Sequence, residues 1–263
     1  MIVTNPKRLL AEERRRKILD LLAKDGRVTI TDLVERFEVS SVTARADLDE
    51  LAESGALIRS HGGAVRQLDP VQDYPVSFKE TIHQAEKVRI GQAAARLVKP
   101  NQTTIIDSGT TTLQVARQIR LQKLKNITVV TNALNIASEL AAATNVSLIM
   151  IGGILRQLSN SFVGPQAERM IGELHADHSF LGVDGLDFDV GPTTPDILEA
   201  QLNGLMIKVS AEVTIVADAS KIGRRSLSII GNLSSIRRLI TDNRVSPDAV
   251  RTFESKGLEV LVV

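Results

Sequence analysis

The stretch that decides the fold of most of the chain reads Ile105-Ile106-Asp107-Ser108-Gly109-Thr110-Thr111-Thr112. An apolar, β-branched run passes into a turn of small polar residues, and a helical pattern begins at once, as in the first half of a βαβ unit. Backbone amides at a helix start, with hydroxyls beside them and no Cβ at Gly109, favour an anion, and we expect a phosphate there. The alternative is an ordinary helix cap. No Gly-Lys-Ser/Thr follows, which excludes a Walker A loop.

Apolar runs typical of strands alternate with helical patterns on both sides of this stretch. The strand candidates are 103–107, 127–131, 146–151, 179–183, 213–217, 238–241 and 258–263, and the helix candidates between them are 112–120, 133–142, 166–174, 196–210 and 248–256. A further helix is expected from Phe78 to Val98. Several strands are continuously apolar, as buried parallel strands are. The alternation predicts an open, mostly parallel α/β sheet with helices on both faces.

Polar residues follow several of these strands at their carboxyl ends, where an open α/β sheet forms its ligand crevice. Carboxylate, amide and lysine groups in such a crevice suit a sugar that carries a phosphate. Each residue alone is more simply explained as a turn or a cap, but their convergence favours a site. The predicted effector-binding residues are Asp107, Ser108, Gly109, Thr110, Thr111, Asn132, Gly153, Asp184 and Lys221.

A proline-containing segment without helical period, from Arg66 to Pro75, indicates a linker. We therefore expect an N-terminal domain over 1–66, a linker over 67–77 and a larger domain over 78–263. The N-terminal domain shows three helical patterns and a short ribbon, which is the outline of a winged helix-turn-helix. In that fold the N-terminal half of the third helix enters the major groove of DNA.

Small polar residues and arginines stand where such a domain would contact DNA. Hydroxyl side chains bind phosphates, and an arginine binds guanine through two hydrogen bonds. The predicted DNA-binding residues are Ser40, Ser41, Thr43 and Arg45 on the third helix, Arg59 and His61 in the ribbon, and Arg14 and Arg15 on the first helix. Residues 1–70 hold 12 basic and 12 acidic residues. A three-helix bundle that packs against the rest of the chain is therefore the alternative.

The composition excludes several other classes of protein. The chain has 263 residues and no cysteine, which excludes a disulfide scaffold, a thiol nucleophile and a Cys-ligated metal. No apolar run reaches the ~18 residues of a membrane span, and the N-terminus lacks the apolar core of a signal peptide. The 4 histidines show no metal-ligand spacing. We expect a cytoplasmic protein without membrane contact, metal or cofactor.

Three runs in the N-terminal part together resemble the DeoR family of bacterial transcription regulators. They are Arg14-x3-Ile18-x2-Leu21, Val39-Ser40-Ser41-Val42-Thr43-Ala44-Arg45-Ala46-Asp47-Leu48 and Gly55-Ala56-Leu57-Ile58-Arg59-Ser60-His61-Gly62-Gly63-Ala64. Ala46 stands where the family usually has a second basic residue. The resemblance implies a DNA-binding regulator, most often a repressor, whose partner is double-stranded operator DNA.

The larger part of the chain resembles the sensor domain of the same family, which is similar in fold to ribose-5-phosphate isomerase and binds phosphorylated sugars. The matching runs include Asp107–Thr112, Thr131-Asn132, Phe180–Gly185, Glu199-Ala200-x-x-Asn203 and Asp218-x-Ser220-Lys221. The run from Leu155 to Glu168 is closest to the amino-sugar regulators, the N-acetylgalactosamine type. The resemblance implies a repressor of a carbohydrate operon that a phosphorylated sugar releases from DNA, acting as a homodimer or homotetramer.

Two other functions stay open from the residues alone. One is a sugar-phosphate isomerase with an appended helical domain, in which Asp184 would be the base and Lys221 would stabilise the enediolate. The other is an oligomeric scaffold that binds neither DNA nor sugar. Incubation with sugar phosphates separates the isomerase from the regulator.

Overall fold

In the computed structural model, residues 9–60, 62–65, 73–122 and 124–263 are described. They divide between two units. The winged-helix unit contains Met1–Asp69 and Thr81–His83, and the sensor unit contains Pro70–Glu80 and Gln84–Val263. Residues 67–72 of the expected linker lie outside the described residues.

The described helices and strands follow one another in this order. The helices are α1 Ala11–Asp25, α2 Ile30–Phe37, α3 Ser41–Glu53, α4 Val76–Glu80, α5 Gln84–Ala95, α6 Thr110–Leu121, α7 Leu134–Leu140, α8 Pro165–Gly172, α9 Ile197–Val209 and α10 Pro247–Ser255. The strands are β1 Arg27–Thr29, β2 Ile58–Ser60, β3 Gly63–Val65, β4 Thr103–Ile106, β5 Ile127–Thr131, β6 Val146–Met150, β7 Ile154–Arg156, β8 Ser161–Val163, β9 Ala176–Leu181, β10 Gly185–Asp187, β11 Gly191–Thr194, β12 Ser210–Val216, β13 Ser228–Ile229, β14 Arg238–Thr241 and β15 Glu259–Val262.

The winged-helix unit is built from α1, α2 and α3 with a three-stranded antiparallel sheet of order β1-β3-β2. Thr29 caps α2 through a reciprocal pair with Asp32, and Ser40 caps α3 by accepting a hydrogen bond from the Thr43 amide. Gly63 sits so close to β1 that an added Cβ would lie 2.0 Å from the Val28 carbonyl oxygen. The wing therefore requires glycine at that position.

The sensor unit is organised around a seven-stranded sheet of order β15-β14-β12-β9-β4-β5-β6, in which every neighbouring pair is parallel. All seven strands overlap strand candidates from the sequence, although β9 and β12 each begin three residues earlier than predicted. The predicted α/β fold class, a winged helix-turn-helix followed by an open parallel sheet, is confirmed.

Neighbouring residues of the buried strands face opposite sides of the sheet. Ile105 and Leu181 belong to one apolar core, and Ile106 and Phe180 belong to the other. The first core also contains residues of α8, α9 and α10, and the second contains residues of α5, α6 and α7. Because both faces are covered by helices, the strands are apolar without interruption.

Two details of the sensor unit differ from the sequence-based expectation. The helix predicted from Phe78 to Val98 is two helices, α4 and α5, because the chain breaks at Thr81–His83, where His83 has a φ of 51°. The small antiparallel elements, β7 with β8 and β10 with β11 and β13, were not predicted. Each is only two to four residues long, which is too short to show a strand period.

Candidate functional site

The N-terminal half of α3 presents the predicted DNA-contacting residues to solvent. Ser40, Ser41 and Arg45 are exposed, and Thr43 is half-buried. The Arg45 guanidinium lies 3.4 Å from the Ser41 hydroxyl and has no ion pair among the described residues, so it is available to a base or a phosphate. Val42 is 71% exposed on the same turn. The sequence reasoning did not single out Val42; an exposed apolar side chain at this position is of the kind that contacts the methyl group of thymine.

Arg14 does not lie on this face. Its side chain is buried and forms an ion pair with the buried carboxylate of Asp47 on α3, while it also donates to the Leu9 carbonyl oxygen. These contacts use the guanidinium to join α1 to α3. The expectation that Arg14 holds a DNA phosphate therefore has to be corrected to a structural role.

The other predicted DNA contacts are partly engaged. Arg15 lies 3.3 Å from Asp47 and 3.4 Å from Glu50. Arg59 lies 2.9 Å from Asp49 and donates to the Gly63 carbonyl oxygen, which fixes its direction along the wing. Both arginines remain about a third exposed. His61 lies outside the described residues.

The predicted effector-binding residues of the sensor unit follow strands of the seven-stranded sheet at their carboxyl ends. From β4 the chain proceeds through α6 to β5 on one side, whereas from β9 it proceeds to β12 on the other. The neighbouring strands β4 and β9 thus form a topological switch point, where open α/β sheets bind ligands. Asp107 follows β4 and Asp184 follows β9.

The turn after β4 leaves the start of α6 open to an anion. Gly109 precedes the helix at a φ of 141°, a conformation that favours glycine, and no side chain caps the helix. Gly182, after β9, faces this turn closely, because an added Cβ would lie 3.3 Å from the Ser108 carbonyl oxygen. The first-turn amides of α6 therefore lack a side-chain cap, as at helix starts that bind anions, and Thr110 and Thr111 lie buried in this turn.

Asp107 is buried beside a second carboxylate. It accepts hydrogen bonds from Asn203 at 3.1 Å and from the Ser108 hydroxyl at 3.3 Å. Burial and the nearby Glu199 raise the pKa of Asp107 well above 3.8. Glu199 in turn accepts from Thr194 at 3.2 Å and from Ser161 at 3.4 Å. Asp107 and Glu199 thus form a buried acidic pair next to the start of α6, here called the polar floor.

The side-chain amide of Asn132 has a hydrogen-bond acceptor without a partner. Its nitrogen donates to the Phe162 carbonyl oxygen at 3.1 Å, while its buried oxygen has no partner. A buried amide oxygen without a donor costs free energy, and a ligand hydroxyl would satisfy it. Gly153 follows β6 at a φ of 154°, and an added Cβ would lie 2.7 Å from the Val163 carbonyl oxygen. Gly153 therefore shapes the backbone here, and it offers no side chain to a ligand.

Asp184 and Lys221, which were predicted separately, are brought together. The Lys221 ammonium lies 3.4 Å from the Asp184 carboxylate, and Lys79 on α4 lies 2.9 Å from it. Although burial opposes the charged form, Lys221 and Lys79 lower the pKa of Asp184 to about 2. Asp184 is therefore an anion at neutral pH, held between two cations.

Sequence reasoning missed several members of this site. Lys79 lies on α4, 105 residues before Asp184, and nothing in the local pattern marks it. Arg156 binds Asp73, Asp196 at 3.0 Å and Glu199 at 3.4 Å. Glu199 was quoted from the sequence as part of the Glu-Ala-x-x-Asn run that resembles the family, but it was not predicted as a site residue; the structure shows that it is buried on α9.

The described part of the chain shows neither a membrane-spanning helix nor a metal-binding cluster. None of its helices is long and apolar enough to cross a membrane. Within the same residues, no group of three or more His, Asp or Glu side chains could hold a metal ion.

Two family descriptions match the chain. The DeoR-like helix-turn-helix domain matches residues 14–68, and the DeoR C-terminal sensor domain matches residues 82–243. The two matches together span both units described above.

Curated relatives match along nearly the whole chain. A protein of Escherichia coli O157:H7, provisionally named an aga operon transcriptional repressor, is 37% identical over 95% of this chain and 93% of its own length. The transcriptional repressor AccR of Agrobacterium fabrum is 35% identical over 88% of this chain and 90% of its own. The glycerol-3-phosphate regulon repressor of Escherichia coli K12 is 33% identical over the same shares.

Solved structures are more distant. Ribose 5-phosphate isomerase A of Methanocaldococcus jannaschii aligns with a TM-score of 0.39 and 15% identity, over 53% of this chain and 54% of that one. The translation initiation factor eIF-2B of Pyrococcus horikoshii aligns with a TM-score of 0.44 and 12% identity, over 87% and 86%.

Proposed function

Because the chain belongs to the DeoR family of transcriptional regulators, we propose that it represses a carbohydrate operon and that a phosphorylated sugar releases it from the operator. The resemblance drawn from its residues is confirmed. One observation carries the proposal about the effector: the uncapped start of α6 lies at the switch point between β4 and β9, among buried polar side chains.

In the proposed DNA complex, α3 lies in the major groove. Arg45 binds a base or a phosphate, while Ser40, Ser41 and Thr43 bind phosphates. Arg59 and His61 extend the contact from the wing, and Arg15 adds a phosphate contact from α1. One small winged helix buries too little DNA surface for a tight site, so we propose binding as a homodimer or homotetramer to repeated half-sites.

In the proposed effector complex, the phosphate accepts hydrogen bonds from the amides of Gly109–Thr111, with Lys221 nearby as a point charge. Ser108 lines the same turn. Asp184 and the unpartnered oxygen of Asn132 accept hydrogen bonds from the sugar hydroxyls, and Asp107 forms the floor. The aga operon relative and the run from Leu155 to Glu168 support an amino-sugar phosphate as the effector.

The same geometry disfavours isomerase chemistry. A general base works best when its pKa lies near the working pH. The pKa of Asp184 is about 2 because Lys221 and Lys79 hold its charged form. We therefore propose a binding protein without catalytic activity. The cytoplasm contains both operator DNA and sugar phosphates, and we place the protein there.

A thermal-shift screen tests the effector class. Wild-type protein is heated with D-galactosamine 6-phosphate, N-acetyl-D-galactosamine 6-phosphate, glucose 6-phosphate, unphosphorylated D-galactosamine or inorganic phosphate. A ligand at 100 times its Kd adds about 2.7 kcal/mol of unfolding free energy. We expect the largest shift with an amino-sugar phosphate, and a smaller one in Thr110→Val.

Thr144→Val is the matched control, because Thr144 lies in an exposed turn away from the strand ends. It should respond like the wild type. No shift with any phosphorylated sugar would contradict the proposal.

A further inference from the structure

The segment Asp73–Glu80, here called the strap, is fastened to the candidate effector site by its own side chains. The strap contains α4 and belongs to the sensor unit. Its clearest contact is the ion pair of Lys79 with Asp184, at 2.9 Å, where Asp184 also faces Lys221. The strap therefore shares a carboxylate with a lysine of the proposed phosphate site.

A second contact fastens the start of the strap. Asp73 pairs with Arg156, and Arg156 also lies 3.4 Å from Glu199 in the polar floor of the site. The Val76 amide donates to the Leu158 carbonyl oxygen at 2.6 Å, on the turn between β7 and β8. The Arg156 side chain is only 14% exposed, so its pairing with Asp73 is poorly screened by solvent.

The end of the strap is held from α5 and α6. The Lys87 ammonium donates to the Lys79 carbonyl oxygen at 2.6 Å, and Arg117 lies 3.2 Å from Glu80. Lys87 is buried, and burial lowers its pKa to about 8. A buried ammonium needs its hydrogen-bond acceptors, so Lys87 fixes the backbone of the strap at Lys79.

The chain passes directly from the strap into the winged-helix unit. Residues Thr81–His83 belong to that unit, and Ile82 forms an antiparallel β-bridge with Ser60 of the wing strand β2. Ile82 is only 2% exposed, so its position cannot change without disturbing the packing around it. Only two residues, Glu80 and Thr81, therefore separate Lys79 at the candidate site from Ile82 beside the wing.

We propose that the strap is the element that couples the effector site to the winged helix: an anionic sugar competes with Asp184 for Lys79, loosens the strap, and thereby shifts Ile82 and the wing. This inference rests on the proposed function, since it assigns the regulation of the same site. A ligand shifts a conformational equilibrium only through its different affinity for the two states. Lys79 provides that difference, because it pairs with protein in one state and with ligand in the other.

Hydrogen exchange in the full-length protein tests the proposal. Amides of residues 76–83 are followed with no addition, with D-galactosamine 6-phosphate, and separately with inorganic phosphate. In the wild type we expect exchange in this segment to accelerate at least threefold when the sugar phosphate binds. In Lys79→Met and in Asp73→Asn we expect fast exchange without any ligand and little further response.

Lys208→Met is the matched control, since Lys208 is exposed near the end of α9. It should exchange and respond like the wild type. A thermal shift on the same samples reports whether the sugar phosphate binds, and the fold of each variant is checked by the exchange of β4 and β9. If inorganic phosphate accelerates exchange as much as the sugar phosphate does, the anionic group alone loosens the strap. That result would still support competition for Lys79.

The outcomes separate the coupling from the effector class. If the sugar phosphate binds the wild type and the exchange of 76–83 does not change, the strap proposal is overturned. If neither probe binds, the proposed effector class is wrong. The strap proposal is then tested by comparing hydrogen exchange of residues 76–83 in the wild type and the two variants without ligand. In that case unchanged protection in both Lys79→Met and Asp73→Asn would overturn it, and lost protection in both would support it.

Discussion

The charged side chains of the outer face of α3 and those of the strand-end site of the sensor unit differ in exposure and in pairing. On α3, Arg45 is exposed and free of ion pairs among the described residues. In the sensor site, the half-buried Asp184 is held between Lys79 and Lys221. The first surface is ready for a large polyanion, whereas the second already satisfies its own charges.

Under the proposed function, this difference allows one chain to combine DNA binding with release by an effector. A surface of exposed basic side chains binds DNA through counterion release and needs no rearrangement of the protein. In the sensor site an anionic ligand that binds Lys79 must compete with Asp184, and in our proposal this exchange of partners produces the conformational change. Binding and switching are therefore assigned to differently built regions.

The largest effect is expected from a charge that is buried in the winged-helix unit. Asp47→Ala leaves the buried Arg14 guanidinium without its partner, which should cost about 3–5 kcal/mol of unfolding free energy. Asp49→Asn is the control, because Asp49 is exposed and its pairing with Arg59 should contribute less than about 1 kcal/mol. Urea unfolding of both variants measures the difference. Equal losses would show that Arg14 is not a structural residue.

Acid should affect the sensor unit through His178. This side chain is buried, stacks on Phe180 and bonds to the Thr214 hydroxyl at 2.8 Å. Burial lowers its pKa from 6.5 to about 4, although Glu212 opposes the shift. Between these values the unfolded chain binds the proton first, so stability falls as the pH falls.

The loss from His178 amounts to about 3 kcal/mol between pH 6.5 and 4. Thermal unfolding across that range should therefore show a steeper pH dependence in the wild type than in His178→Gln. The slope is the measured quantity, because the substitution also changes packing. Parallel slopes in the two proteins would mean that His178 does not titrate as described.

Removal of the Arg45 side chain should weaken DNA binding without affecting the stability of the protein. Arg45→Ala should weaken operator binding by about 1–3 kcal/mol and leave the unfolding transition unchanged, since the side chain is exposed. Arg36→Ala, on the exposed side of α2, is the control and should bind like the wild type. Fluorescence anisotropy at fixed salt, with an operator selected from a random DNA library by the wild-type protein, gives both affinities. An unchanged affinity in the Arg45 variant would remove it from the interface.

Much of the architecture could be predicted from the sequence, because strands that are buried on both faces of a sheet consist of consecutive apolar residues. The pairs Ile105-Ile106 and Phe180-Leu181 are apolar without interruption, and this pattern marks central parallel strands. The turn that we propose to bind the phosphate was equally visible, because Ser108, Gly109 and Thr110 are adjacent in sequence. Features of this kind depend only on neighbouring residues.

The remaining features depend on residues that are far apart in sequence. Lys79 and Asp184 meet only after the sheet has formed, and Arg14 and Asp47 only after the helices have packed. A basic run on α1 looks the same whether its arginines face DNA or the protein interior. The break at Thr81–His83 was hidden because helical periodicity continues on both sides of it.

The most direct test of sensing at the strand ends is a titration of the operator complex with D-galactosamine 6-phosphate. We expect a 5–150-fold loss of operator affinity in the wild type, the usual range of coupling between two sites. Thr110→Val and Lys221→Ala should bind the operator normally but release it less than about twofold, whereas Lys208→Met should respond like the wild type. Release of operator by both site variants at the wild-type sugar concentration would contradict phosphate binding at the start of α6.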